Sequence, residues 1–236
     1  MLVILCHPDD TSALWLDRQL SEAGVDVTLV SVEQLVFSRS ITHALTSTAD
    51  TGTIRLADGR VLHPEAIAGL INRVRFVPTQ HFTNAATGDR EYATAELHAF
   101  LLAWLNGVAG RVLNPARPLL LGGGINDMAA IRHYAALAGL PAPGWSRTTR
   151  RADLDSPVSP THNVIVLDGR GFGPIIPTEL LGGCGRLAAY LGTPLLQIAF
   201  SRNAVGRWEF LHATAKVDFE RGGRPLAAAL ARTVAA

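Results

Sequence analysis

Met1-Leu-Val-Ile-Leu-Cys-His-Pro-Asp-Asp10 runs an apolar stretch into a polar turn. Thr11 to Ala23 follows, with Leu14, Trp15 and Leu20 at helical spacing, and Gly24 is placed to stop that helix. Val25 to Val32 then alternates as a strand does. Strand, helix and strand within about 30 residues make a β-α-β unit, which predicts a parallel sheet with a right-handed crossover. The fold class expected from these residues is α/β.

Beyond this unit, residues 38–52 are rich in Ser and Thr and read as a loop. Thr53-Ile-Arg-Leu56 and Arg60-Val-Leu62 flank Ala57-Asp58-Gly59 as a hairpin. Ala68 to Val74 reads as a buried strand and residues 76–89 as a polar loop. Arg90 to Val108 is the clearest helix, with Tyr92, Ala95, Ala99, Leu102 and Leu105 at core spacing. Val112 to Asn114 is a short strand ended by Pro115, and Asn126 is placed to cap a helix running to Gly139. Residues 146–161 are polar and hold Arg147, Arg150, Arg151, Pro157 and Pro160. A domain boundary is expected there, giving a Rossmann-like domain over 1–150 and a smaller α+β core over 151–236. The second part reads as a strand at Asn163–Leu167, a turn at Asp168-Gly169 and a helix at Thr178–Leu191. Strands at Leu195–Phe200 and Arg207–Ala213 and a helix at Arg224–Val234 complete it.

Composition narrows the function. The chain has 236 residues, 48% hydrophobic and 17% charged, enough to bury a sizeable core. A net charge of +1 with no Lys/Arg run argues against a nucleic-acid binder. Every basic residue except Lys216 is an arginine, so chemistry that needs two lysines on phosphates or Schiff bases does not run on this chain alone. Cys6 and Cys184 are far apart, no disulfide framework is expected, and a reducing cytoplasm is the expected compartment. No apolar run reaches the length of a membrane span, and the N-terminus lacks the basic region of a signal peptide.

Several stretches in order carry a resemblance. They are Leu70-Ile-Asn-Arg-Val74, Asp89-Arg-Glu-Tyr-Ala-Thr-Ala-Glu96, Ala103-Trp-Leu-Asn106 and Val112-Leu-Asn-Pro-Ala-Arg-Pro118. Ala135-Ala-Leu-Ala-Gly-Leu-Pro141, Leu187-Ala-Ala-Tyr-Leu-Gly192 and Gly206-Arg-Trp-Glu-Phe-Leu-His-Ala-Thr214 continue the series. Together they resemble the ATP-grasp superfamily, near the carboxylate-amine ligases related to glutathione synthetase. The resemblance implies a pre-ATP-grasp domain followed by an ATP-grasp core. It also implies a β-rich lid after the proline turn, whose lysines hold nucleotide phosphates. Here only residues 146–161 fill that interval, and no lysine precedes Lys216. The family holds magnesium with Glu and, two residues on, Asn. The matching positions are His212 and Thr214, poor partners for that ion. Glu209 lies nearby and, by strict alternation, on the opposite strand face from His212. The resemblance therefore implies a lid-truncated relative with Glu209, His212 and Thr214 at degenerate ATP/Mg positions.

His7-Pro8-Asp9-Asp10 is also similar to the HPDD motif of the LmbE/PIG-L zinc-dependent deacetylases, which implies His7 and Asp10 as zinc ligands and Asp9 as base. The plain alternative is that Asp9 or Asp10 caps the first helix. Arg73 and Arg75 are candidates for carboxylate or phosphate recognition, or for ion pairs with Asp89, Glu91 or Glu96. Arg147, Arg150 and Arg151 read as a solvated linker, Cys184 in Gly182-Gly-Cys-Gly185 as a buried inert thiol, and Gly122-Gly-Gly124 as a plain turn.

The expectation is a pseudoenzyme or partner protein of biosynthesis that needs no cofactor. Its peptide or amino-acid-like ligand is placed near Asn72, Arg73, Arg75 and Glu96. Loss of a lid uncovers apolar surface, so a homo-oligomer or a protein partner is expected. Two alternatives stand beside it: a reduced ATP- and Mg-dependent carboxylate-amine ligase, and a zinc hydrolase built on His7, Asp9 and Asp10.

Overall fold

β1 (Leu2–Cys6) is buried at all five positions, the pattern of a strand covered on both faces. The computed structural model describes residues 1–45, 50–125, 127–142 and 162–235. The chain forms two units, Met1–Gly123 with Ala227–Ala236, and Gly124–Leu226. The expected boundary near residue 150, like Asn126, Arg147, Arg150, Arg151 and the interval 146–161, lies outside the described residues.

In the first unit β1 leads through α1 (Thr11–Glu22) to β2 (Val27–Ser31) and α2 (Val32–Val36). β6 (Gly69–Asn72) and β7 (Arg111–Leu113) complete a sheet of order β2-β1-β6-β7 in which each neighbouring pair is parallel. Between them lies α3 (Thr87–Asn106). The chain steps from β1 outward to β2, then returns to the other side of β1 for β6. The sheet thus has a switch point between the carboxyl ends of β1 and β6, where open α/β sheets place ligands. Val3, Leu5, Leu70, Leu101, Trp104 and Leu105 belong to one buried cluster.

The Ser/Thr-rich stretch read as a loop forms instead two strands, β3 (Ser40–Leu45) and β4 (Asp50–Arg55). With β5 (Val61–Leu62) they make an antiparallel sheet, β3-β4-β5. β-branched Ile41, Thr42, Thr53 and Ile54 suit a strand, and Ile54 is wholly buried, so packing overrides the loop-like composition. The stripe on α3 also differs from expectation. Leu105 is buried as expected, but Tyr92 is 69% exposed, and Leu101 and Trp104 turn inward beside Leu105.

In the second unit β8 (His162–Leu167), β9 (Arg170–Phe172), β10 (Leu195–Arg202) and β11 (Trp208–Thr214) form an antiparallel sheet of order β11-β10-β8-β9. Asp168 and Gly169, both at positive φ, turn β8 into β9. α4 (Met128–Leu137) and α5 (Thr178–Leu191) cover one face through Ile131, Ala135, Leu187 and Leu191, packed on Val166, Ile198, Phe200 and Phe210. Asp127 caps α4 by accepting from the amides of Ala129 and Ala130. α6 (Phe219–Ala235) kinks at Gly223, two residues before Pro225.

Candidate functional site

His7, Pro8, Asp9 and Asp10 leave the end of β1, and Arg73, Val74, Arg75 and Phe76 leave the end of β6, so the two motifs meet at the switch point. Their side chains are joined. Arg73 donates through Nε and Nη2 to the two carboxylate oxygens of Asp10, each at 2.8 Å, with both side chains out of water. Asp10 Oδ1 also accepts from the Ala13 amide and so caps α1. Arg75 pairs with Asp9, and that hydrogen bond holds the Asp9 carboxyl below the usual carboxylate range. The partners expected for Arg73, Asp89, Glu91 or Glu96, give way to Asp10, 63 residues away in sequence.

His7 is buried, and its Nε2 accepts from the Arg75 amide at 3.0 Å. That leaves the ring proton of the neutral imidazole on Nδ1, 3.2 Å from Glu33 Oε1 on α2. The ring stacks on Phe76 with centroids 4.3 Å apart. Both nitrogens of His7 and both oxygens of Asp10 are therefore engaged within the fold. The geometry matches the helix-cap reading of the motif. Among the described residues no group of three or more His, Cys, Asp and Glu is set to hold a metal ion.

Of the four expected ligand residues, Asn72 and Arg73 are held by hydrogen bonds within the fold. Asn72 donates from Nδ2 to the carbonyls of Asn114 and Leu121 and accepts at Oδ1 from the Val74 amide, which ties β6 to the loop after β7. Gly122 packs so close that a Cβ there would overlap the Val74 carbonyl oxygen. Arg73 is locked to Asp10. Arg75 is the one of the three at the sheet edge that reaches water, its side chain 33% exposed beside Phe76, which is 52% exposed. Glu96 is an exposed residue of α3. Sequence reasoning missed Glu33 and Phe76, because their place against His7 depends on pairing across the sheet.

The second polar surface belongs to the other unit. Gln197 pairs with Thr214, Ala199 with His212 and Ser201 with Glu209, and a register shift between Ala199 and Phe200 leaves Leu211 as the extra residue of β11. The bulge turns β11 by one position. Glu209 therefore shares its sheet face with His212 and Thr214, which corrects the expectation of opposite faces. Asn163 of β8 pairs with Ala199 and joins this face. Gln197 links it inward, donating to Asn163 Oδ1 at 3.2 Å and accepting from the Asp218 amide at 2.8 Å. Glu209 accepts from Asn203 Nδ2 at 2.8 Å. Partial burial and the Arg132 guanidinium push His212 below the usual imidazole range. Burial pushes both thiols, Cys6 and Cys184, up to about 12, the environment of an inert buried thiol.

A parallel sheet with a switch point followed by an antiparallel α+β unit is a fold that this chain shares with solved structures of two macrocyclases and an ATP-grasp ligase. The macrocyclase MdnC of Microcystis aeruginosa MRC, bound with precursor peptide MdnA, has a TM-score of 0.75 and 14% identity. The match covers 99% of this chain and 98% of that one. Macrocyclase MdnB of the same organism has a TM-score of 0.71 and 13% identity over 99% of this chain and 98% of its own. A RiPP-associated ATP-grasp ligase of Chryseobacterium gregarium, in complex with ADP and a leader and core peptide, has a TM-score of 0.70 and 9% identity. There the match covers 99% and 95% of the two chains. No family model and no curated protein matches the chain.

Proposed function

We propose that this chain is a peptide-binding protein of ATP-grasp fold that works in peptide natural-product biosynthesis without a standard nucleotide site. The observation that carries the reading is the donor set on the polar face of the second unit. A magnesium-bridged triphosphate needs charged oxygens to balance the metal, and among the described residues this face carries one carboxylate, Glu209, already bonded to Asn203. Beside it stand an imidazole, a hydroxyl and the amides of Asn163 and Gln197, and the single lysine, Lys216, follows the strand. Such a set does not fit a magnesium-bridged triphosphate. The ligand surface is placed at the switch point, where the Arg75 guanidinium offers a charge-assisted bond to a carboxylate and Phe76 an apolar face. The named complexes of MdnC and the Chryseobacterium ligase with peptides support a peptide as the ligand.

A reduced ATP-dependent ligase is the second reading, favoured by one observation: the bulge brings Glu209 to the same face as His212 and Thr214. Thermal unfolding separates the two. Saturating ATP and Mg²⁺ add ~2–4 kcal/mol to a protein that binds them at 100 to 1,000 times Kd. Under the first reading the midpoint stays fixed with ATP and Mg²⁺ and rises with a synthetic Asp/Glu-bearing peptide. A midpoint that rises with ATP only when Mg²⁺ is present rejects the first reading and supports the second.

A further inference from the structure

The three amides that follow β6 go to three different acceptors. Arg73 N–H continues the ladder onto the Leu5 carbonyl at 2.8 Å, Val74 N–H turns to Asn72 Oδ1 at 3.3 Å, and Arg75 N–H reaches His7 Nε2 at 3.0 Å. The acceptor for Arg75 is thus a ring nitrogen, which accepts only while the ring proton sits on the other one. A proton on Nε2 would set two N–H donors against each other and push the backbone of residue 75 away. His7 is buried, so solvent would do little to relieve that mismatch.

Glu33 settles where the proton sits. Its Oε1 lies 3.2 Å from Nδ1, and a carboxylate accepts without donating. The proton is drawn to Nδ1 and the Nε2 lone pair is turned to Arg75. Stability alone does not account for this carboxylate. Its second oxygen is out of water with no hydrogen-bond partner among the described residues, a cost that an apolar side chain on α2 would avoid.

What the ring holds is the ligand surface. It fixes the Arg75 amide and stacks on Phe76, while Asp9 of the same turn pairs with the Arg75 guanidinium. Asp9 is largely exposed and exchangeable for an incoming carboxylate, whereas the buried bond to His7 fixes the backbone from which the guanidinium reaches. We infer that His7 and Glu33 are positioning residues for ligand binding: Glu33 keeps the His7 proton on Nδ1, and the Nε2 lone pair holds Arg75 and Phe76 in the conformation that receives a peptide carboxylate. This inference rests on the sheet edge being the peptide site. It gives each polar side chain of the His7-Pro8-Asp9-Asp10 turn a task toward the two arginines, Asp10 locking Arg73, Asp9 pairing with the Arg75 guanidinium and His7 holding the Arg75 backbone.

Nitrogen NMR of the imidazole ring and calorimetric titration test it on the full chain. In the peptide-free wild type, the ring whose signals His7→Gln removes is expected to show a protonated Nδ1 and an unprotonated Nε2. His7→Gln puts Oε1 where Nε2 stood, so the Arg75 amide keeps an acceptor, and Kd for the synthetic Asp/Glu-bearing peptide is expected to stay within about twofold. His7→Phe keeps a ring against Phe76 but removes the acceptor, and is expected to weaken Kd about tenfold and to speed exchange of the Arg75 amide. Should His7→Phe fail to fold, Glu33→Ala carries the test from a partly exposed position. There the ring proton is expected to spread over both nitrogens and Kd to weaken about threefold, with the melting midpoint held. A structural role alone would weaken His7→Gln and His7→Phe alike. An Nε2 that carries the proton in the wild type overturns the inference while the peptide site stands. So does a His7→Gln variant as weak as His7→Phe, a His7→Phe variant that binds like the wild type, or a Glu33→Ala variant that shifts the proton without shifting Kd. A wild type that binds no such peptide removes the site itself, and this inference with it.

Discussion

Arg73 and Asp10 lie almost wholly out of water, and neither charge can be removed alone without stranding the other. Breaking such a pair from one side costs ~3–5 kcal/mol, while replacing both members by apolar groups is far milder. Arg73→Met and Asp10→Asn are each expected to lower stability by ~3–5 kcal/mol in urea unfolding. Arg73→Met with Asp10→Leu should cost clearly less than the sum of the corresponding single changes. Additive costs would show that the pair is not coupled. The buried thiols give a pH prediction. Both ionise near 9.0 in the unfolded chain and near 12 in the folded one, so the folded state holds the protons more tightly. Their stability contribution is fully present below pH 9 and is lost as pH rises toward 12. A maleimide at pH 8 is therefore expected to leave both thiols unmodified until denaturant is added, and stability should fall in alkali more steeply than in a variant with both cysteines replaced by alanine.

At the scale of elements, α5 meets the turn after α4 at Gly183. A Cβ there would stand 2.5 Å from Leu140 Cδ2 and 3.2 Å from the Ala138 carbonyl oxygen, while at Gly182 the nearest neighbour is Arg186 Nη1 at 3.5 Å. Gly183→Ala is expected to destabilise by ~1–3 kcal/mol through overpacking. Gly182→Ala should stabilise by up to ~1 kcal/mol through helix propensity. Thermal unfolding of the two variants should move in opposite directions. The same helix shows what sequence can carry. Its bounds, Thr178–Leu191, follow from local apolar period and a glycine stop, as do β1, β2 and the hairpin turn at Gly59. β3 and the first half of β4 escaped because Ser and Thr serve loops and exposed strand faces alike, and only burial of Ile54 under α3 tells them apart. The bulge at Leu211 escaped for a related reason. It arises from how β11 registers on β10, and a strictly alternating reading of β11 alone puts Glu209 on the wrong face. In the same way the motif at His7 and the arginines at 73 and 75 were each visible, but their union needs β6 to lie beside β1.

At the scale of the molecule, each unit carries a polar surface among the described residues, and the ligand is proposed to sit on that of the first. The sheet edge of the first unit holds a solvent-reaching guanidinium beside an exposed ring, a combination suited to a peptide carboxylate and its neighbouring side chain. The face on β11 and β10 holds groups bonded to one another, Gln197 to Asn163 and Glu209 to Asn203. A hydrogen bond to a charged group contributes ~1.5–3 kcal/mol. Arg75→Gln is therefore expected to weaken binding of an Asp/Glu-bearing peptide about tenfold or more, since tenfold is ~1.4 kcal/mol. Asp9 stays exposed in that variant and no buried charge is stranded, so the melting midpoint should hold. Glu209→Gln and His212→Ala should leave the peptide Kd within about twofold, below the ~1.4 kcal/mol that a direct contact would remove. Calorimetric titration of the three variants decides between the surfaces. If Glu209→Gln or His212→Ala abolishes binding while Arg75→Gln does not, the ligand belongs to the second unit and not to the sheet edge of the first.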